Sequence, residues 1–125
     1  MPEQVPGGPI EQISAITLAT ADMARAVEFY ASLGFGMLYG GPDAGFTSFA
    51  VGEGYLNLIA QGEPPGWWGR VIFYAHDVDA LYERALELGY GPHAPPRDAP
   101  WGERFFHLTD PDGHELSFAA PLSRG

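Results

Sequence analysis

The four histidines are the first place to look for chemistry, because imidazole titrates near neutral pH and is the commonest metal ligand. His76, His93, His107 and His114 do not stand at a ligand spacing. His76 precedes a helix-capping Asp, His93 lies in a proline-rich loop and His114 follows a turn, so all three read as surface or structural residues. His107 differs. It sits mid-strand between Phe106 and Leu108, on the face that alternation gives to Phe105. With Glu115 it would form an acid–base pair, which the spacing alone does not establish. Arg70 opens a strand and reads either as an anchor for a ligand carboxylate or as half of an ion pair, with Glu115 as one partner. Trp67 and Trp68 are adjacent indoles between glycines and prolines. They read as a stacking surface, a contact to a second chain, or packing against the neighbouring half. Trp101, in the run PWG, either lines a pocket or fills core.

The elements that must position these residues come in two copies. Ala15 to Gly36 and Arg70 to Gly91 both read as a strand, an Asp-capped helix and a Leu-Gly-aromatic-Gly stop, related by a constant shift of 55 residues. Under that shift Asp22 meets Asp77, Glu28 meets Glu83, Leu33 meets Leu88 and Gly34 meets Gly89, an internal duplication. In the first copy Met23, Ala26, Val27, Tyr30 and Leu33 recur at helical spacing. Strands are expected at 35–39, 46–51 and 55–60. In the second copy a strand at 71–75 and a helix carrying Val78, Leu81, Tyr82, Ala85 and Leu88 come first. An extended loop with four prolines and room for a short edge strand follows. Strands at 104–108 and 114–119 close the copy around the Asp110-Pro-Asp-Gly113 turn. The expected layout is a tail at 1–11, one domain at 12–121 made of modules 12–61 and 70–121 joined by a linker at 62–69, and a tail at 122–125.

Composition narrows the partners. A chain of 125 residues, 46% hydrophobic, can bury a real core as one domain. It has no cysteine, so thiol chemistry and disulfides are excluded. The formal net charge is −10 and all six basic residues are Arg, which leaves no cationic stripe for a phosphate backbone; nucleic acid is not an expected partner. The negative field would attract cationic small molecules, or serve only solubility. No apolar run reaches membrane-helix length, and the start, MPEQVPGGPI, lacks the marks of a signal peptide; a cytoplasmic location is expected.

The paired LGF and LGY stops, the EFY helix, the DVDALYERALELG helix and PWGERFFHLTDPDGHELSF together resemble the vicinal oxygen chelate superfamily of glyoxalases, extradiol dioxygenases and bleomycin-resistance proteins. The resemblance spans roughly residues 12 to 121. It implies an α+β fold of two tandem βαβββ modules forming a curved mixed sheet around a cleft, often in a homodimer. It also implies four metal-site positions, which fall here on Ala15, Asn57, Arg70 and Ser117. Ala has no donor atom, Arg has no lone pair to offer, and Asn and Ser are weak neutral oxygens. A catalytic zinc or iron needs about three His or carboxylate ligands. Alternation then assigns Ile16, Leu18, Leu56, Leu58, Val71, Phe73, Leu116 and Phe118 to the helix-facing side. It leaves Ala15, Thr17, Asn57, Arg70, Ile72, Glu115 and Ser117 on the cleft side.

The expected function is a metal-independent small-molecule binding protein without a cofactor, akin to the bleomycin-resistance branch and sequestering a cationic or aromatic compound. Its ligand-binding set is Ala15, Thr17, Asn57, Trp67, Trp68, Arg70, Ile72, Trp101, Glu115 and Ser117, completed by a second chain. The alternative is a lyase, isomerase or dioxygenase of the same superfamily with a non-standard site, for which His107 and Glu115 are the candidate catalytic groups.

Overall fold

A computed structural model describes residues 8–9, 11–63 and 66–122. The tails expected at 1–11 and 122–125 lie almost wholly outside the described residues. The first module runs β1 (Ala15–Thr20), α1 (Met23–Leu33), β2 (Gly36–Tyr39), β3 (Phe46–Val51) and β4 (Gly54–Ala60). The second runs β5 (Arg70–Tyr74), α2 (Val78–Glu87), β6 (Arg97–Asp98), β7 (Glu103–Thr109) and β8 (Glu115–Pro121). Each forms a four-stranded mixed sheet, in the orders β1-β4-β3-β2 and β5-β8-β7-β6. The first strand of each module runs parallel to the last and the other pairs are antiparallel. The α+β class and the βαβββ repeat stand as expected, and the proline loop does hold the short edge strand β6.

The caps follow the sequence signals. Asp22 accepts a hydrogen bond from the Arg25 N–H at 3.2 Å and Asp77 from the Ala80 N–H at 3.0 Å, satisfying one orphan donor at each helix start. Gly34 ends α1 at φ 111°, a left-handed conformation that a side chain would strain.

Both helices and the inner faces of both sheets share one core. Tyr30, Phe49, Leu56, Leu58, Phe106, Leu108 and Leu116 are almost entirely removed from solvent within it. The expected helix-facing set lies there, with Ile16 and Val71 only partly buried at its margin. Phe35 bridges the halves, its ring centre 5.1 Å from Phe73 and 6.1 Å from Phe49.

A second joint comes from the turn between β7 and β8. Asp110 accepts the Tyr30 O–H at 2.7 Å, and Asp112 accepts the Ala21 N–H at 2.9 Å. His114, 3% exposed, completes the joint. Trp68 Nε1–H donates to its Nδ1 at 2.7 Å, so the ring proton must sit on Nε2, which donates to the Ala19 carbonyl at 2.7 Å. His114 is thus a structural clamp, and Trp68 is the hinge pin that fixes the linker to it.

Candidate functional site

With the hydrophobic faces turned toward the helices, the opposite face of the second sheet is partly covered, with Phe105, Ser117 and Ala119 buried and Ile72 exposed. On β7 and β8 that face carries Phe105, His107, Ser117 and Ala119, and on β5 it carries Arg70 and Ile72. The proline loop folds β6 against β7, bringing Arg97 beside Phe105, and Trp101 follows in the turn before β7. Together these residues and Glu103 line a pocket of about 270 Å³.

The pocket has aromatic walls. Trp101 stacks on Phe105 with ring centres 5.7 Å apart and planes 28° apart, and His107 lies 5.0 Å from the same ring. Trp101 is 68% exposed and Ile72 61%, so both offer apolar surface that no described residue covers. The charges inside it are mostly answered. Arg70 is paired to Glu115 at 2.5 Å, its register partner across β5 and β8. Glu103 accepts the Trp101 N–H at 3.1 Å on one oxygen and the Tyr74 O–H on the other. Arg97 lies over the Phe105 ring, 4.8 Å from its centre, and has no carboxylate at ion-pair distance among the described residues. His107 is hydrogen-bonded through Nδ1 to Ser117 Oγ at 2.6 Å. Burial first, then the positive charges of Arg70, His93 and Arg97, push its pKa below the usual histidine value, against a smaller pull from Glu115.

A larger pocket of about 460 Å³ opens where the free edges of β1 and β5 approach, lined by Ile13, Ala15, Tyr55, Trp68, Arg70 and Ile72 among others. Arg70 and Ile72 border both pockets and form the ridge between them.

The residues picked from sequence are therefore distributed over two places. Arg70, Ile72, Trp101, His107 and Ser117 meet in the smaller pocket, and Ala15 and Trp68 join Arg70 and Ile72 in the larger one. Thr17 accepts a hydrogen bond from Asn57 Nδ2 at 3.2 Å on the first sheet; Asn57 lines neither pocket, and Thr17 faces a side groove with Trp68 and His114. Glu115 is engaged by Arg70 rather than by His107. Trp67 is 74% exposed and lines neither pocket. Of the four metal-site positions, Ala15 and Arg70 line the larger pocket, Arg70 and Ser117 the smaller, and Asn57 neither. Among the described residues no three His, Cys, Asp or Glu side chains gather where they could hold a metal ion. An alkyl stub, an amide, a guanidinium and a hydroxyl do not fit a transition metal.

Arg97, Glu103 and Ala119 were not legible as site residues. Alternation from His107 through Phe105 to Glu103 was an available signal for Glu103. Arg97 had none, because its placement depends on the proline loop folding back onto β7.

A family profile for the Glyoxalase/Bleomycin resistance protein/Dioxygenase superfamily matches residues 12–118. The chain belongs to that superfamily. Among solved structures it is similar to a glyoxalase/bleomycin resistance protein/dioxygenase from Nocardioides, at 26% identity and TM-score 0.71, covering 98% of this chain and 89% of that one. It is also similar to TioX from Micromonospora sp. ML1, at 28% identity and TM-score 0.74, covering 90% and 100%. A third is a bleomycin-binding protein in complex with bleomycin, at 25% identity and TM-score 0.70, covering 89% and 98%. Small-molecule binding thus occurs within the superfamily. Among the described residues no helix is long and apolar enough to cross a membrane.

Proposed function

We propose that this superfamily member is a metal-independent small-molecule binding protein that holds an aromatic compound on the face of its second sheet turned away from the helices. The observation that carries the reading is the exposed Trp101, stacked on the buried Phe105, beside the exposed Ile72, apolar surface that no described residue covers. Burying such surface contributes about 25 cal/mol per Å². The donor set argues in the same direction: binding of this kind needs no ion, and Ala15, Asn57, Arg70 and Ser117 are poorly suited to hold one. The bleomycin-binding relative supports sequestration as the purpose. At about 270 Å³, however, the pocket falls just under the roughly 300 Å³ at which drug-sized ligands begin. One chain therefore suits a one- or two-ring compound, and a larger ligand would need the groove between the modules or a second chain. We place the protein in the cytoplasm and as a homodimer in which the partner caps the open face.

The test is intrinsic fluorescence. Titration with a neutral bicyclic compound, 2-naphthalenemethanol, should change tryptophan emission saturably, and Trp101→Ala should weaken binding about tenfold, the scale of one lost aromatic contact. Binding that is indifferent to Trp101→Ala would remove this pocket as the site.

A second reading, an enzyme with a non-standard site, draws on His107. Held uncharged near neutral pH and aimed at the pocket floor, it has the state a general base requires. Its hydrogen bond to Ser117, with Glu115 committed to Arg70, leaves it without the carboxylate that would orient it. Turnover of a bound compound that disappears in His107→Gln would favour this reading over sequestration.

A further inference from the structure

The overall charge of −10 points toward cationic ligands, but the charged group left free to meet a ligand in the pocket is a cation. Arg70 and Glu115 neutralise one another across the β5–β8 ladder. The Glu103 carboxylate is occupied on both oxygens, by Trp101 N–H and Tyr74 O–H. His107 is kept uncharged by burial and by its cationic neighbours. Glu103 has no ion-pair partner among the described residues, but both its oxygens already accept hydrogen bonds; Arg97 is left as the one lining charge with neither a hydrogen bond nor an ion pair among them.

Distance decides between the global field and this local charge. At physiological ionic strength the Debye length is about 8 Å, so carboxylates spread over the outer surface are largely screened from a ligand in the pocket. Arg97 would act on it at contact. Its guanidinium is already held over the Phe105 ring, so little rotamer freedom is left to lose when it takes up an anion. The planar fork that remains matches a carboxylate, with two parallel N–H donors.

Resting on the reading of this pocket as an aromatic-ligand site, we propose that its ligand is an aromatic carboxylate. The ring lies against Trp101 and Ile72, and the acid group meets Arg97. An aromatic cation would bring like charge against Arg97, would find Glu115 already paired with Arg70, and would have to share Glu103 with the Trp101 N–H and Tyr74 O–H.

The test uses three naphthalene probes that differ in charge: 2-naphthoate, 2-naphthalenemethanol and 2-naphthylmethylammonium. They are titrated calorimetrically into the full chain at pH 7.5 and physiological salt. Naphthoate should bind at least tenfold tighter than the alcohol, with the ammonium weakest. Arg97→Gln should bring the affinities for naphthoate and the alcohol to within about threefold of each other, whatever it does to both. Arg97→Lys, which keeps the charge but not the fork, should retain part of the advantage, and it decides the matter if the Gln variant does not fold. Naphthoate binding no tighter than the alcohol, or an advantage that survives Arg97→Gln, overturns the proposal and leaves the binding-protein reading standing. Tightest binding of the ammonium does the same. Silence from all three probes overturns both.

Discussion

Asp110 shows how much one side chain in this molecule can hold. Its Oδ2 accepts the Tyr30 O–H at 2.7 Å, and its Oδ1 accepts the N–H groups of Asp112 and His114, each at 2.9 Å. Burial raises its pKa above the ordinary carboxylate value, and the three hydrogen bonds oppose that rise without cancelling it. A carboxyl whose pKa is higher folded than unfolded binds more protons in the native state. Its contribution to stability is therefore complete below the unfolded value and is lost as pH rises through the folded one. Asn can still accept the two N–H groups on its Oδ1 and can donate from Nδ2 to the Tyr30 hydroxyl oxygen, with no charge to bury. Asp110→Asn should thus cost about 1 kcal/mol near pH 7 and remove this part of the pH dependence, while Asp110→Ala strands the Tyr30 O–H and the Asp112 and His114 N–H groups and should cost about 3 kcal/mol. Urea denaturation of the two variants between pH 4 and pH 8 distinguishes these outcomes. Arg97 makes the complementary point at the same scale: among the described residues no carboxylate pairs with its guanidinium, and no neighbour in sequence reveals that.

At the scale of elements, the parts that local rules govern were readable. Asp22 and Asp77 cap helices because their side chains reach the N–H three residues on, and Gly34 stops α1 because the chain turns left-handed there. Alternation assigned the faces of β1, β4, β5 and β8 correctly because a single helix layer buries one side of each sheet. What long-range folding decides was not readable. The DPDG turn is the hairpin connector expected of it, and Asp110, Asp112 and His114 also join it to the first module, which its sequence does not reveal. Trp68, read as a ligand platform, a dimer contact or packing, spends its N–H on His114 while its ring borders the larger pocket. Trp68→Phe keeps most of that ring surface but leaves the buried His114 Nδ1 without its donor. It should lower stability by about 1 to 2 kcal/mol with aromatic binding in the smaller pocket unchanged. A denaturation midpoint measured alongside a naphthalene titration checks both halves. Equal losses of stability and binding would mean that the two pockets act as one.

The whole molecule repeats its fold but not its chemistry. Thr17 and Asn57 pair across β1 and β4 where Ile72 and Ser117 pair across β5 and β8, and Ala15 and Tyr55 pair where Arg70 and Glu115 do. Charge and aromatic surface accumulate in the second copy, so the two sheets are not interchangeable sites. Exposed Met37, Leu38 and Tyr39 on one sheet and Ile72, Tyr74 and Trp101 on the other leave apolar surface on both halves. Such surface is the mark of a face meant for a ligand or another chain. Sedimentation should accordingly give twice the 13.5 kDa chain mass, and a monomer at micromolar concentration would remove the capping partner from the account. The central claim, aromatic binding that needs no ion, is tested most directly by calorimetry on protein stripped of metal by a chelator and titrated with 2-naphthalenemethanol. The account predicts saturable binding in the stripped protein, unchanged within twofold when zinc, nickel, manganese or iron(II) is restored. Heat that appears only after a metal is added would contradict it.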